Sequence, residues 1–293
     1  MASLKDIKRR IKSVKNTQQI TKAMKMVSAA KLKKAQDEIV AARPYAEKLL
    51  GLISSLASKT SPESHPLLAS TGGAKTGVVL ITSDRGLCGS FNTVLLRTIE
   101  RFLNERNESD ISLYLIGKRS MEHFKRRQIN VASSRAFGSG RPSYSQASEI
   151  ARTLTDAFLK NELDEVYIIY SQFQSALTQT PVVQKLLPIS TPKAEEGKAE
   201  EKKDEIQVEF LFEPSGDEVL SSLLPKYVEV QAFRALLESS ASEHGARMTS
   251  MDSASKNAAE MINGLTLKYN RIRQAVITKE LMEIIGGAEA LKG

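Results

Sequence analysis

Three regions of the chain differ in how apolar and polar positions alternate. Near the start, apolar residues fall at Leu4, Ile7, Ile11 and Val14, and again at Ile20, Met24 and Val27. Steps of mostly three and four put such residues on one face of a helix. Ser3 followed by Asp6 three positions later reads as a capping box that starts it. No glycine occurs between residues 2 and 50, so the predicted helix is long. Pro44 is expected to bend or split it. The run SKTSPESHP at 58–66 is expected to end it, and TGGAKTG at 71–77 reads as a loop.

The far end repeats the pattern with greater regularity. Met248, Met251, Ser255, Ala258, Ile262, Leu265, Tyr269, Ile272 and Val276 are separated by alternating steps of three and four. A period of 3.5 is the signature of a left-handed coiled coil. Ser255 and Ala258 are small enough to let a partner helix come close. A second capping box, Ser215 with Glu218, follows Pro214, and Pro225 is expected to separate a short helix from the long one. A helix from about Pro225 to Ile285 would be on the order of 90 Å long. That exceeds the diameter of a globular domain of this size. The helix is therefore expected to project and to pair antiparallel with the N-terminal one, the two holding together through a shared apolar seam.

Between the ends the rhythm changes. GVVLITS, SLYLIG and EVYIIYSQF are short, β-branched apolar runs. Helical stretches separate them at roughly 90–105, 119–127 and 143–161. Strands alternating with helices predict an α/β fold with a mainly parallel, Rossmann-like sheet. VVQKLLPIS and IQVEFLFEP read as a hairpin or edge strands, with the charged loop TPKAEEGKAEEKKDE between them. The expected domains are thus an N-terminal helix over 1–60, an α/β domain over 75–213, and a C-terminal helix over 215–288 that completes the coiled coil.

Composition narrows the function classes. Among 293 residues there is one cysteine, which excludes an internal disulfide and a cysteine-rich zinc site. His65, His123 and His244 show no ligand spacing, so neither a metal nor a cofactor is expected. No apolar run approaches the roughly 20 residues of a membrane span, and the basic start lacks the apolar core of a signal peptide. Its pattern runs unbroken into the helix, unlike a presequence. Residues 1–48 carry thirteen Lys and Arg against four Asp and Glu, whereas 215–293 carry nine against ten. The basic segment fits an acidic partner, be it nucleic acid, anionic lipid or protein, or is a solvated helix face.

The stretch ITSDRGLCGSFN, after the first strand, is where an α/β enzyme would keep a nucleophile or cradle a phosphate. No histidine lies near Cys88 in sequence, and an isolated cysteine is more often a packing residue. Gly86 and Gly89 fit neither GxGxxG nor GxxxxGK[ST], and Asp84 would repel a phosphate. GSGRPSYSQ at 138–146 is a glycine-serine loop before a helix that Ser143 is placed to cap; it could bind an anion or be only a loop. A domain without a catalytic set, flanked by two long helices, reads as a mechanical or binding element. Two other readings stay open: an α/β enzyme with a coiled-coil dimerisation arm, and a basic coiled-coil nucleic-acid-binding protein, although the absence of interleaved aromatics weighs against the latter.

ITKAMKMVSAAKLKKAQ near the start, SDRGLCGSFN in the middle and YNRIRQAVITKELMEIIGGAEA at the end, in that order, resemble the gamma subunit of the rotary ATP synthase. The resemblance implies a non-catalytic central stalk that carries torque from a c-ring to the beta subunits. It implies one copy per complex, a hexamer of alpha and beta subunits around the helices, and epsilon and the c-ring at the foot. Nucleic acid is not an implied partner, and membrane attachment is only through the complex, on the cytoplasmic face of the bacterial inner membrane. Carried over by motif, Met24, Arg273, Gln274 and Thr278 match beta-contacting positions. Arg85 and Cys88 lie in the segment near an acidic beta loop, with Cys88 an interface or packing residue. Lys31, Lys33 and Lys34 are placed to face acidic surfaces. Phe210, Phe212 and Glu213 match the foot, and EIIGGAEALKG resembles a tip turning in an apolar sleeve. The chloroplast form's extra cysteine-bearing segment has no counterpart.

Overall fold

The computed structural model describes residues 3–59, 65–69, 72–106, 110–127, 129–138, 140–189 and 216–290. Within them the elements follow as α1 (Leu4–Lys59), β1 (Thr76–Ile81), α2 (Phe91–Asn104), β2 (Ile111–Ile116), α3 (Lys118–Phe124), β3 (Asn130–Arg135), α4 (Tyr144–Leu159), β4 (Glu165–Phe173), β5 (Gln179–Leu187) and α5 (Gly216–Ala290). The chain divides into two compact units. Unit 1 is Met1–Ala29 with Arg247–Gly293, and unit 2 is Ala30–Ala246.

Unit 1 is an antiparallel pair of helix segments. α1 starts on the expected capping box: the Asp6 amide donates to Ser3 Oγ at 3.2 Å and the Ser3 amide to Asp6 Oδ2 at 3.4 Å. All nine residues of the α5 heptad row, Met248 to Val276, are buried or half-buried. A facing row runs along α1 with the same steps through Leu4, Ile7, Ile11, Val14, Gln18, Thr21, Lys25 and Ser28. Gln18 Nε2 donates to the Ser255 carbonyl at 3.5 Å, and Lys25 pairs with Asp252 at 2.5 Å, which fixes the antiparallel sense. Here the structure corrects the sequence pattern. Ile20 and Val27 are 60% and 57% exposed, and Met24 is half-buried. The strict heptad keeps to polar and small residues at this point, so the apolar side chains one or two positions away turn outward.

Unit 2 is built on a five-stranded sheet ordered β3-β2-β1-β4-β5, parallel except for β5. Successive residues of β1 serve opposite faces, as the two-residue period requires. Val79 and Ile81 join a core with α4, the C-terminal part of α1 and the first half of α5, whereas Val78 and Leu80 join one with α2 and Phe124 of α3. All six residues of β1 are buried, which is why its sequence is continuously apolar rather than alternating.

Several expectations shift in detail. Pro44 and Pro225 both lie inside continuous helices. Pro44 and Val40, whose carbonyl would otherwise accept its missing N–H, are both exposed, so water can take up the lost bond. Ser221, the corresponding residue for Pro225, is exposed as well. β3, with sequence NVASSR, has no apolar run to announce it. VVQKL belongs to β5, an edge strand paired antiparallel to β4; IQVEFLFEP lies outside the described residues, as do Ser215 and the charged loop.

Candidate functional site

Two surfaces carry the residues singled out by sequence. The first is the turn after β1. Its floor is a hydrogen-bonded cluster: Ser83 Oγ donates to the Arg85 carbonyl at 2.7 Å, the Ser83 amide to Asn92 Oδ1 at 3.1 Å, and Asn92 Nδ2 to Cys88 Sγ at 3.2 Å. Cys88 is 2% exposed and sits in the α2-side core. Its thiol is a packing group here. Thr82 Oγ1 lies 3.0 Å from Ser120 Oγ, closing the crevice beside the end of β1.

Asp84 explains why this turn, in the place where doubly wound sheets bind nucleotides, is built differently. Its carboxylate accepts the Lys118 and Phe137 amides, each at 2.9 Å, and the Gly138 amide at 2.8 Å. Burial pushes its pKa up, but these three amides and the Lys118 charge outweigh that and hold it below the usual aspartate value. Amides that could have received a phosphate oxygen are thus taken by the chain's own anion. Ser143 is likewise engaged, in a capping box with Gln146. Gly117, at φ 100°, lets the chain pass this junction; a Cβ there would lie 2.1 Å from the Thr82 carbonyl oxygen.

What the turn presents outward is Arg85, exposed, and Leu87, 63% exposed with φ at 64°. An apolar side chain held outward on left-handed backbone is uncommon. Sequence reading singled out Arg85 but missed Leu87, because neither its exposure nor its φ has a sequence signal.

The second surface is the outer face of unit 1. Arg273, Gln274 and Thr278 are exposed on α5, while their neighbours Ile272 and Val276 occupy the half-buried heptad row. Thr278 Oγ1 donates to the Gln274 carbonyl at 2.9 Å. Lys31, Lys33 and Lys34, in unit 2, are exposed on α1. Ile277, Leu281, Met282, Ile284 and Ile285 leave a run of large apolar groups exposed near the end of α5. Phe210, Phe212 and Glu213 lie outside the described residues.

A further cluster, which sequence reading missed, ties the opposite end of the sheet. The Arg106 guanidinium lies over the rings of Phe102 and Tyr167, at 4.9 and 4.7 Å, and donates to Glu165 Oε2 at 3.0 Å. Lys185 takes the other Glu165 oxygen at 2.7 Å. This brings together α2, β4 and β5 and has the form of a structural clasp.

The described residues include no group of three or more His, Cys, Asp or Glu placed to hold a metal ion, and no helix long and apolar enough to cross a membrane. The geometry defines a class of protein: paired helix segments in one unit and a mainly parallel α/β sheet in the other, with Arg85, Arg273, Gln274 and Thr278 exposed. Comparison with known proteins gives the family. The ATP synthase family model matches residues 3–291. The ATP synthase gamma chain of Geobacter sp. (strain M21) is 52% identical over 295 residues, covering 100% of both chains. A chain from the central stalk and c-ring structure of the Tetrahymena thermophila mitochondrial ATP synthase is 28% identical, with a TM-score of 0.61 over 80% of this chain and 99% of that one. A chain of the Euglena gracilis mitochondrial ATP synthase shares the fold at 20% identity, with a TM-score of 0.71 over 98% of this chain and 94% of that one. The chain belongs to the ATP synthase gamma-chain family, the non-catalytic central-stalk rotor subunit of a complex whose catalysis is by its beta subunits. The readings as an enzyme with a dimerisation arm or as a nucleic-acid-binding protein are not favoured.

Proposed function

We propose that one copy of this chain turns within a hexamer of alpha and beta subunits, carrying torque from a c-ring and contacting epsilon at its foot. Met24, Arg85, Arg273, Gln274 and Thr278 meet loops of the beta subunits in this reading, with Cys88 packing the turn beneath Arg85. Attachment to the cytoplasmic face of a bacterial inner membrane is then only through the complex. The full-length match to bacterial gamma chains supports the assignment.

The observation that carries the contact reading is the exposure of Arg273, Gln274 and Thr278 beside covered seam residues. The Arg273 and Gln274 side chains can reach a partner without disturbing the helix pair. Arginine can pair in a fork with a carboxylate. A single asymmetric rotor shows a different side to each of three chemically identical sites. The contact energy therefore differs from site to site, and that difference can hold the sites in different states.

The test is an Arg273→Ala/Gln274→Ala double variant, assayed in membrane vesicles. ATP synthesis driven by an ion gradient is expected to fall several-fold while the complex is recovered intact. Synthesis at the unmodified rate would remove both residues from the contact set.

A further inference from the structure

Within unit 2, α5 carries a row of buried residues at helical spacing: Val228, Ala232, Ala235, Ser239, Ser242 and Gly245. Val228, Ala232 and Ala235 share the core that holds α4 and β4. At Gly245 an added Cβ would lie 3.2 Å from the Phe173 ring and 3.4 Å from Ala176 Cα. Such a face comes close to the sheet but is shallow. Its burial resists separation and has no direction, and residues this small give few ridges to interlock. Resistance to sliding or turning of the helix must come from directional contacts.

Such contacts stand at both ends of the row. Glu229 Oε2 accepts from the Tyr144 hydroxyl and Oε1 from Ser148 Oγ, each at 2.7 Å, and Arg152 Nε lies 3.5 Å from Oε1. All three partners belong to α4, whose start is fixed by the Ser143 capping box. Burial pushes the Glu229 pKa up, but the Tyr144 and Ser148 hydrogen bonds and the Arg152 charge outweigh that and hold it below the usual glutamate value. Tyr144 also meets Phe233 of α5 edge to face at 5.7 Å. Gln184 of β5 donates to Gln231 Oε1 at 3.3 Å. At the other end, Ser242 Oγ donates to the Ser171 carbonyl of β4 at 2.9 Å, with both residues buried. The stretch from Glu229 to Ser242 is about 20 Å of helix. We propose that Glu229 and Ser242 are positioning residues through which the α/β unit grips α5 under torque. Glu229 ties the helix to α4, Ser242 ties it to β4, and two separated anchors oppose both sliding and turning about the helix axis. A turn by one residue would carry Ser242 off its carbonyl and strip the Glu229 carboxylate of its donors, which is costly for a largely buried charge. Twist entering at the sheet is then delivered to α5 in register rather than lost as slip. The grip rests on the rotor reading of the chain.

The test uses the purified complex, with the alpha and beta subunits fixed to a surface and a bead on the ring, and reads the angular spread of the bead while the rotor pauses between steps. Glu229→Ala/Ser242→Ala is expected to widen the mean-square spread severalfold while ATP hydrolysis per complex is kept. Tyr144→Phe/Ser148→Ala removes two donors but leaves Glu229 and the aromatic contact in place. It should widen the spread to a smaller extent, and it decides the matter if the first variant does not assemble. Leu154→Ala weakens the sheet core without touching either anchor and should leave the spread at the parent value. An unchanged spread in both anchor variants would overturn the grip. An equal widening in Leu154→Ala would make the effect one of lost stability alone, and would overturn it as well. Absence of rotation in the parent complex would instead sink the rotor reading, and the grip with it.

Discussion

In unit 2 the inward row of α1 reads Leu32, Ala35, Ile39, Ala42, Ala46, Leu49, Ile53 and Leu56; in unit 1 the same spacing starts apolar, with Leu4, Ile7, Ile11 and Val14, and then carries Gln18, Thr21, Lys25 and Ser28. One period thus serves two kinds of interior. In unit 2, Leu49, Ile53 and Leu56 share a core with α4 and the sheet, so apolar side chains are covered from several sides. In unit 1 the covering comes from a single facing helix segment. Such a seam is thin, and polar groups at its margin remain within reach of water. Thr21 Oγ1 returns to the Gln18 carbonyl at 3.0 Å, and Asp252 is shared by Lys25 and Lys256. Ile20, Met26 and Val27 of unit 1 are meanwhile exposed, whereas Ile7 and Met251 are buried. A rotor subunit is consistent with this stretch, where modest polar contacts fill the seam and apolar groups turn outward.

The comparison predicts that stability is concentrated in unit 2. The largest effect is expected from Gly117→Ala, where left-handed backbone and the Thr82 carbonyl both oppose a Cβ; a loss of about 3–5 kcal/mol should show in urea unfolding. Leu154→Ala, in the fully buried α4 face of the sheet core, should cost about 2–4 kcal/mol by the same measurement. A loss below about 1 kcal/mol would break the contrast between the units.

Asp84→Asn comes next, at about 1–2 kcal/mol near neutral pH, because a charged acceptor of three amides is replaced by a neutral one. The pKa of Asp84 is depressed in the folded chain, so its contribution is present above the unfolded value of about 3.9 and is lost as pH falls through the folded value. The difference between the parent and the variant should therefore shrink on acidification through that window, as read by unfolding curves at a series of pH values. The smallest effect is expected in unit 1. A double-mutant cycle on Lys25 and Asp252 should give a coupling of about 0.2–1 kcal/mol that weakens with salt, since both side chains are partly exposed. A coupling several times larger and insensitive to salt would mean that the unit 1 seam is a buried interior like that of unit 2.

Much of the fold was legible because its signals are local. Ser3 with Asp6 forms the expected capping box, and Ser143 caps its helix as expected. The row from Met248 to Val276 is covered along its whole length. The apolar runs at β1, β2 and β4 became strands. β3 was not legible, because NVASSR is a largely exposed edge strand that earns no continuous apolar pattern. Neither proline splits its helix, because the cost of a missing N–H depends on whether water reaches the opened carbonyl, and exposure is not written in the neighbouring residues.

The candidate site divides the same way. Motifs picked out Arg85, Cys88, Arg273 and Gln274, but not which side of the backbone each would occupy. The sequence by itself determined the two long helices, the alternating α/β middle and the absence of a recognised phosphate-binding motif, because periodicity, capping and glycine spacing act over a few residues. Only the tertiary structure decided that Cys88 turns inward and Leu87 outward, that Asp84 occupies three amides from distant segments, and that Ile20 and Val27 lie off the seam. Those outcomes depend on groups far apart in the chain meeting in space, and a hydrogen bond or a covering side chain from 30 or 50 residues away leaves no trace in the local pattern.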